Sequence, residues 1–281
     1  MSLKIDTHNM PHDISLHENF FPAKPNYPLK LQRSMYADWY NTYWHEQLEI
    51  IYFQHGDGTF VMSGKDYKIT PGDIYVINCN DLHTFKAETS TLNFSITIDL
   101  SFFDNVEFEH ILFQPYIKDD IFLQNVFVEI FEEYFAEKDS WDMAVMGKVY
   151  KLVTYLIRNY RQDTLSQKDY DSRNLKLKRL QEVLEYISLH YNEKISTANL
   201  SEVFHINKYY LCKTFKEETG QTPIEYMNDF RVKRSLPLLK STSESIAGIA
   251  ETVGFEDANY FSRIFKKIMH MSPMQYRNSK N

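Results

Sequence analysis

The C-terminal part of the chain repeats itself at a constant offset of 50 residues, so that stretch must fold as two copies of one small unit. Val203 matches Val253, Tyr210 matches Tyr260, Phe215 matches Phe265, Lys216 matches Lys266, Pro223 matches Pro273 and Tyr226 matches Tyr276. Asn207 and Asp257 are both N-cap types, and Thr222-Pro223 and Ser272-Pro273 both restart a helix with Pro at its first position. The alignment reads as gapless.

Each copy has the pattern of a helix-turn-helix. In the second, Ile246, Ile249, Ala250 and Val253 form a helical apolar stripe, Gly254 permits a sharp turn, Asp257 caps a new helix, and Phe261, Ile264, Phe265 and Ile268 supply its buried side. The opposite side presents Asn259, Ser262, Arg263, Lys266 and Lys267. Short polar groups near a helix start with cations behind them suit base edges and phosphates respectively. In the first copy Leu200 and Val203 precede the turn at His205-Ile206, Leu211 and Phe215 point inward, and Tyr209, Cys212, Lys213 and Lys216 face out. A plain helical hairpin with a solvated charged face is the competing explanation for one copy; two copies argue against it. The joining residues, Thr222 to Lys240, make a helix roughly 30 Å long, close to the about 34 Å between successive major-groove faces of a duplex.

The run from Ser245 to Lys267, followed by Ser272-Pro273 and Tyr276-Arg277, resembles the signature of AraC/XylS-type bacterial transcription regulators. The resemblance covers residues 175–281 and implies seven helices, two of which enter neighbouring major grooves of double-stranded promoter DNA. By motif position it assigns DNA contact to Tyr209, Cys212 and Lys213 in the first helix and to Ala258, Asn259, Ser262 and Arg263 in the second. Tyr209, Lys213, Asn259 and Arg263 are the better base readers, with Lys216, Lys266 and Lys267 on the same faces. Two departures stand out. His270 replaces the usual Gly after the second reading helix, which puts its C-cap in question, and Pro237 falls inside the joining helix, which should kink or end near Ser235-Leu236 and change the angle between the two heads.

Charge separates the chain into unlike halves. The net −7 divides into 15 Lys and Arg against 26 Asp and Glu over residues 1–174, and 16 against 12 over residues 175–281. Only the second half suits a polyanion. Residues 161–174 are almost wholly polar and read as an exposed linker. Cys79 and Cys212 lie far apart with no C-x-x-C pair, so both are expected as free thiols in a reducing compartment. With no run of about 18 apolar residues and no basic-then-apolar leader, the expectation is a cytoplasmic protein without membrane contact.

The N-terminal half reads as antiparallel strands at residues 48–53, 58–62, 73–78 and 92–98, bounded by turn residues, followed by two amphipathic helices over 121–135 and 143–160. Embedded in it, His45, Glu49, Pro71-Gly72-Asp73 and His83 are similar to the cupin motifs, in which H-x-H-x3-Glu and a later His converge on a metal inside a barrel. Tyr43 stands where the first His would be, and Asn78, Asn80 and Ala87 depart from the second motif. Two imidazoles and a carboxylate could hold a divalent ion, but the resemblance to AraC-type regulators implies an organic effector in this pocket. The expectation is therefore no metal and no cofactor, with Arg33, Tyr43, His45, Glu49 and His83 lining it and a metal as an alternative. Purely structural hydrogen bonding is the other alternative for the two histidines and Glu49. Tyr36, Trp39, Trp44 and Tyr52 fall near the same mouth by sequence, as rings for a sugar or as core.

The expected architecture is an α+β chain of two domains: a cupin-like β-barrel with two helices over 1–160, a linker over 161–174, and an all-α domain of two helix-turn-helix units over 175–281. The expected function is a sequence-specific transcriptional regulator, not an enzyme, answering to a small molecule of sugar type. The resemblance adds homodimerisation through the two helices and recruitment of RNA polymerase. An effector-independent dimeric activator and a cupin metalloenzyme with a DNA-binding tail are the alternatives.

Overall fold

A computed structural model describes residues 17–20, 28–36, 42–87, 91–103 and 108–279. The chain divides into two compact units, Met1–Leu175 and Lys176–Asn281.

The first unit is sheet-rich. Its strands are β1 (His17–Phe20), β2 (Leu29–Tyr36), β3 (Leu48–His55), β4 (Gly58–Met62), β5 (Lys65–Lys68), β6 (Ile74–Ile77), β7 (His83–Ala87), β8 (Thr91–Ile98), β9 (Ile111–Phe113), β10 (Tyr116–Ile117) and β11 (Arg161–Thr164). One sheet has the order β1-β2-β8-β3-β6-β10, a second β5-β4-β7, and β11 pairs with β9. The helices α1 (Ile121–Ala136) and α2 (Trp141–Asn159) follow the strands.

Both faces of β3 are buried, which explains its near-continuous apolar sequence. Leu48, Ile50 and Tyr52 join Phe94, Ile96, Phe127, Phe131 and Leu152 in a core between the large sheet and the two helices. Ile51 and Phe53 join Phe60, Met62, Tyr75, Ile77 and Phe85 in a second core between the two sheets. This alternation decides the two readings of Tyr52 in favour of core: its ring packs on Phe127 at 5.8 Å between centroids, under the helices. The side chain of Tyr36 and all of Trp39 lie outside the described residues.

Residues 161–174 are mostly exposed, but they carry regular structure and are not an open linker. Arg161–Thr164 pairs antiparallel with Ile111–Phe113, and the rest opens α3 (Gln167–His190). Poverty in apolar groups misleads here because strand pairing uses only backbone groups. Polar contacts secure the first turn of α3: the Tyr170 ring stacks on His110 at 4.3 Å, and its hydroxyl donates to Glu109 at 2.6 Å.

The second unit holds the remainder of α3 with α4 (Thr197–Val203), α5 (Lys208–Thr219), α6 (Pro223–Ser241), α7 (Ile246–Thr252), α8 (Ala258–Met269) and α9 (Pro273–Asn278). Its caps follow the duplicated residues: Asn207 and Asp257 open α5 and α8, and Thr222 and Ser272 form capping boxes before Pro223 and Pro273. The second copy gathers Ile249, Val253, Phe255, Phe261 and Phe265 around Val232 and Leu239 of α6. Arg231, on the same helix, is buried; it donates to the Tyr191 carbonyl at 2.5 Å and the Glu193 carbonyl at 2.7 Å.

Two details depart from the sequence reading. Helix α6 neither ends nor breaks at Ser235-Leu236, but runs through Pro237 to Ser241, held on both sides of the proline by Leu236, Leu238 and Leu239 against the core. The repeat also contains a gap. The first helices of the two hairpins are capped by Ser196 and Ser245, an offset of 49, because the first turn is one residue shorter. Val203 is accordingly 47% exposed, whereas Val253 is 1% exposed.

Candidate functional site

The core between the two sheets opens into a cavity of about 70 Å³. Its apolar side is Ile51, Phe53, Phe60 and Phe85; its polar side is Gln32, Tyr43, Glu49, His83, Asn93 and Ser95. Strand register selects these residues. Gln32 lies opposite Ser95 and Ser34 opposite Asn93, while Arg33 lies opposite Phe94. Successive side chains point to opposite faces of a strand, so Arg33 shares the face of Leu29 and Leu31, which pack in the core under the helices. Arg33 is therefore not a wall of the cavity, and Gln32 takes its place. Gln32, Asn93 and Ser95 are residues that sequence reasoning missed. Their signal was the alternation Gln32-x-Ser34 and Asn93-x-Ser95, a polar strand face that solvent would equally explain.

Tyr43, His45, Glu49 and His83 are brought together. Tyr43 and His83 form an isolated antiparallel bridge, each backbone N–H donating to the other's carbonyl, which carries β7 beside the segment before β3. His45 Nε2 stands 3.1 Å from Glu49 Oε2, and His83 Nε2 stands 3.6 Å from the same oxygen. The two imidazoles meet edge to face at 5.2 Å. His45 Nδ1 faces the Gln47 carbonyl at 2.9 Å, and His83 Nδ1 faces the Asp81 carbonyl at 3.2 Å.

These surroundings divide the charges. Burial disfavours ionised Glu49, yet the hydrogen bond and positive charge of His45 outweigh it and pull the carboxyl down to about 2. Burial likewise disfavours charge on His45, but bonding to Glu49 and its charge raise this pKa above the ordinary value. For His83 burial dominates and lowers the pKa to about 4. At neutral pH the cluster is a carboxylate paired with His45 beside a neutral His83 whose side chain lines the cavity. Each of the three residues offers a donor atom, all within 4.8 Å of one another, a set whose chemistry fits a divalent first-row metal. Tyr43, at the position of the missing first His, is 49% exposed. Trp44 is half-buried. Cys79 is a buried free thiol, pushed up to about 12 by desolvation; Cys212 is also free and half-buried.

The second surface lies on α5 and α8. On α8, Phe261 and Phe265 are fully buried, while Asn259, Arg263, Lys266 and Lys267 are exposed and Ala258 and Ser262 half-buried on the outer side. The Arg263 guanidinium lies over the Tyr260 ring at 5.2 Å, a contact that holds the fork near the helix start. On α5, Tyr209 is 76% exposed, Lys213 and Lys216 are exposed and Cys212 is half-buried. The two helices are unequal in charge. Lys266-Lys267 on α8 corresponds to Lys216-Glu217 on α5, and Glu217 lies 3.9 Å from Lys213. The exposed positive charge is therefore concentrated on α8. No helix among the described residues is long and apolar enough to cross a membrane.

Residues 29–153 match the family described as an AraC-like ligand binding domain, and residues 200–279 match a helix-turn-helix domain. An uncharacterized HTH-type transcriptional regulator of Bacillus subtilis (strain 168), YdeC, is 25% identical over 253 residues, 84% of this chain and 85% of that protein. The HTH-type transcriptional activator RhaS of Enterobacter sp. (strain 638) is 25% identical over 275 residues, 94% of this chain and 96% of that protein. Among solved structures, a protein of unknown function from Listeria innocua is 38% identical, covering 35% of this chain and 93% of its own, with a TM-score of 0.34.

Proposed function

The chain belongs to the AraC-type transcription regulators, and on that premise we propose that it reads promoter DNA with α5 and α8 and answers to a small molecule held in the cavity around Glu49. The observation that carries the DNA reading is the division of α8: two phenylalanines buried completely on one side, with Asn259, Arg263, Lys266 and Lys267 exposed on the other. Asn259 and Arg263, on the first turns, are the base readers, joined by Tyr209 and Lys213 on α5. Ala258, Ser262 and Cys212 pack against the groove, and Lys216, Lys266 and Lys267 hold phosphates.

The effector reading rests on the cavity chemistry. Glu49, His83, Asn93, Ser95 and Gln32 offer acceptors and donors on one side, and Phe53, Phe60 and Phe85 offer aromatic surface on the other. That division supports a small polyhydroxylated molecule, whose hydroxyls and C–H faces would be matched separately, and carbohydrates are our first ligand class. The cluster is assigned recognition, not catalysis or a resident metal. The regulator is read as a cytoplasmic homodimer joined through α1 and α2, which present Ile121, Met143 and Tyr150 to solvent. Its sign is read as activation, through RNA polymerase; the likeness to RhaS, a transcriptional activator, supports this.

The effector is found by thermal-shift screening of the full chain against sugars and sugar phosphates. A stabilising hit that Asn93→Ala removes supports the reading; a carbohydrate panel without effect rejects it. For DNA, the full chain should retard one promoter fragment in the presence of excess bulk competitor. Equal competition by both rejects sequence-specific reading.

A further inference from the structure

The turn that carries His83 into the cavity is gripped from its other side by the beginning of α3. Within residues 78–83, Asp81 offers its carbonyl to His83 Nδ1 at 3.2 Å, and the Asn80 N–H donates to the His45 carbonyl at 2.9 Å. The His83 ring and the His45 main chain thus both rest on this turn. On the outer side, the Arg173 guanidinium donates to the Cys79 carbonyl at 3.0 Å and forms an ion pair with the Asp81 carboxylate, and Asn80 Nδ2 donates to Asn174 Oδ1 at 3.3 Å. Asn78 ties the turn's first residue to β9: its Nδ2 donates to the Phe113 carbonyl at 3.2 Å and its Oδ1 accepts from the Phe113 N–H at 2.7 Å. Asn80 itself sits in the left-handed region at φ 66°, a conformation that few residue types other than glycine hold readily.

Arg173 and Asn174 immediately precede Leu175, the last residue of the first unit. We propose that the turn from Asn78 to His83 is a relay, through which occupancy of the cavity sets whether the first turns of α3 are latched to the N-terminal unit or released. The inference rests on the reading of the cavity as the effector site and names the regulation of that site. A ligand that bonds His83 or Glu49 changes where the His83 ring can sit. Moving the ring strains or breaks its hydrogen bond to the Asp81 carbonyl, and shifting Asp81 strains its ion pair with Arg173. By linkage the path runs both ways: holding α3 with Arg173 must favour one position of His83. The latch is made of polar contacts to a turn, not of buried apolar surface, so it can open without unfolding either core.

The test uses the full chain without any effector. In the ring-proton NMR spectrum, Arg173→Gln should shift the His83 and His45 signals, while Lys148→Gln, which breaks the Lys148–Glu129 pair on α2 and α1, should leave them in place. In the reverse direction, His83→Asn should speed amide exchange over residues 170–176 by about threefold or more without changing exchange in α6. Should Arg173→Gln prove unfolded in its melting profile, Asn174→Ala, which removes the contact to Asn80 together with the side-chain hydrogen bond to Tyr170, takes its place. Histidine signals unmoved by loss of the latch, or exchange at 170–176 unmoved by loss of the ring, overturns the relay. A relay that passes both tests while no small molecule binds would instead overturn the effector reading, so the two failures are distinct.

Discussion

Gly220 and His270 close α5 and α8 in the same left-handed conformation, at φ 76° and φ 56°, 50 residues apart in the repeat. Glycine adopts this geometry without steric cost, whereas a side chain meets its own backbone there. His270→Gly should therefore stabilise the helical unit by about 1 kcal/mol, and Gly220→Ala should destabilise it by a similar amount. Urea denaturation of the full chain, followed through the helical unit's transition, checks both. An unchanged midpoint for His270→Gly would mean that the imidazole makes good the strain.

Arg263 and Lys266 lie on one face of α8 but are assigned different work. Arg263→Ala should cost about 1–3 kcal/mol on the cognate site and relax the choice of base at one position. Lys266→Ala should weaken every sequence alike and lower the slope of affinity against salt by about 1. Binding titrations on cognate and scrambled duplexes at several salt concentrations separate the two. Equal losses on both duplexes for Arg263→Ala count against base reading.

Acid should loosen the N-terminal unit in two stages. His83 has its pKa lowered from 6.5 to about 4, so the unfolded chain takes up this proton first and stability falls as the pH drops through that window. Glu49, lowered from 4.5 to about 2, adds a loss below pH 4.5. His45 runs the other way: its raised pKa contributes stability that is complete below 6.5 and is lost as pH rises through the folded value. Thermal melts of His83→Gln should show a shallower decline between pH 6.5 and 4 than the parent. Parallel curves would remove His83 from the account.

Pro237 withholds a donor from the middle of α6, which nonetheless continues to Ser241. Restoring the N–H with Pro237→Ala should stabilise the helical unit by about 1 kcal/mol or more, since an interior proline costs up to about 3 kcal/mol relative to alanine. Footprints of the two proteins on one operator test whether the ring also bends the helix: the spacing between protected half-sites should differ. A lower urea midpoint for the alanine variant would show that the pyrrolidine packs better than the restored bond repays.

The helical unit was legible because its signals are local. Caps such as Asn207 and Asp257, prolines at 223 and 273, and the apolar stripes of α5 and α8 are set within a few residues of where they act. What misled there was a coincidence of side chains: Val203 aligns with Val253 by number, although the turns differ in length and only Val253 is buried. In the first unit, the motif residues His45, Glu49 and His83 met as expected, but the strands around them did not announce their facing. Arg33 and Gln32 are neighbours in sequence, and only pairing with β8 decides that Gln32 faces the cavity while Arg33 turns toward the helix layer. The strand within 161–174 was not legible for a related reason: its pairing partner, β9, lies some fifty residues earlier and is recognised through backbone groups that composition does not report.

The extra residue in the second turn makes the hairpins non-interchangeable parts. Gly254, at φ 90°, comes so close to the backbone that a methyl group there would lie 2.7 Å from both the Tyr191 carbonyl and the Asn192 Cα, so that corner is wedged against the end of α3. The first hairpin makes its corner with His205, at φ 51°, a residue exposed to solvent. Transplanting the first hairpin into the second position would drive an imidazole into main chain. Duplication thus left the second corner locked in its socket, and an engineer exchanging hairpins between the two positions must keep glycine there.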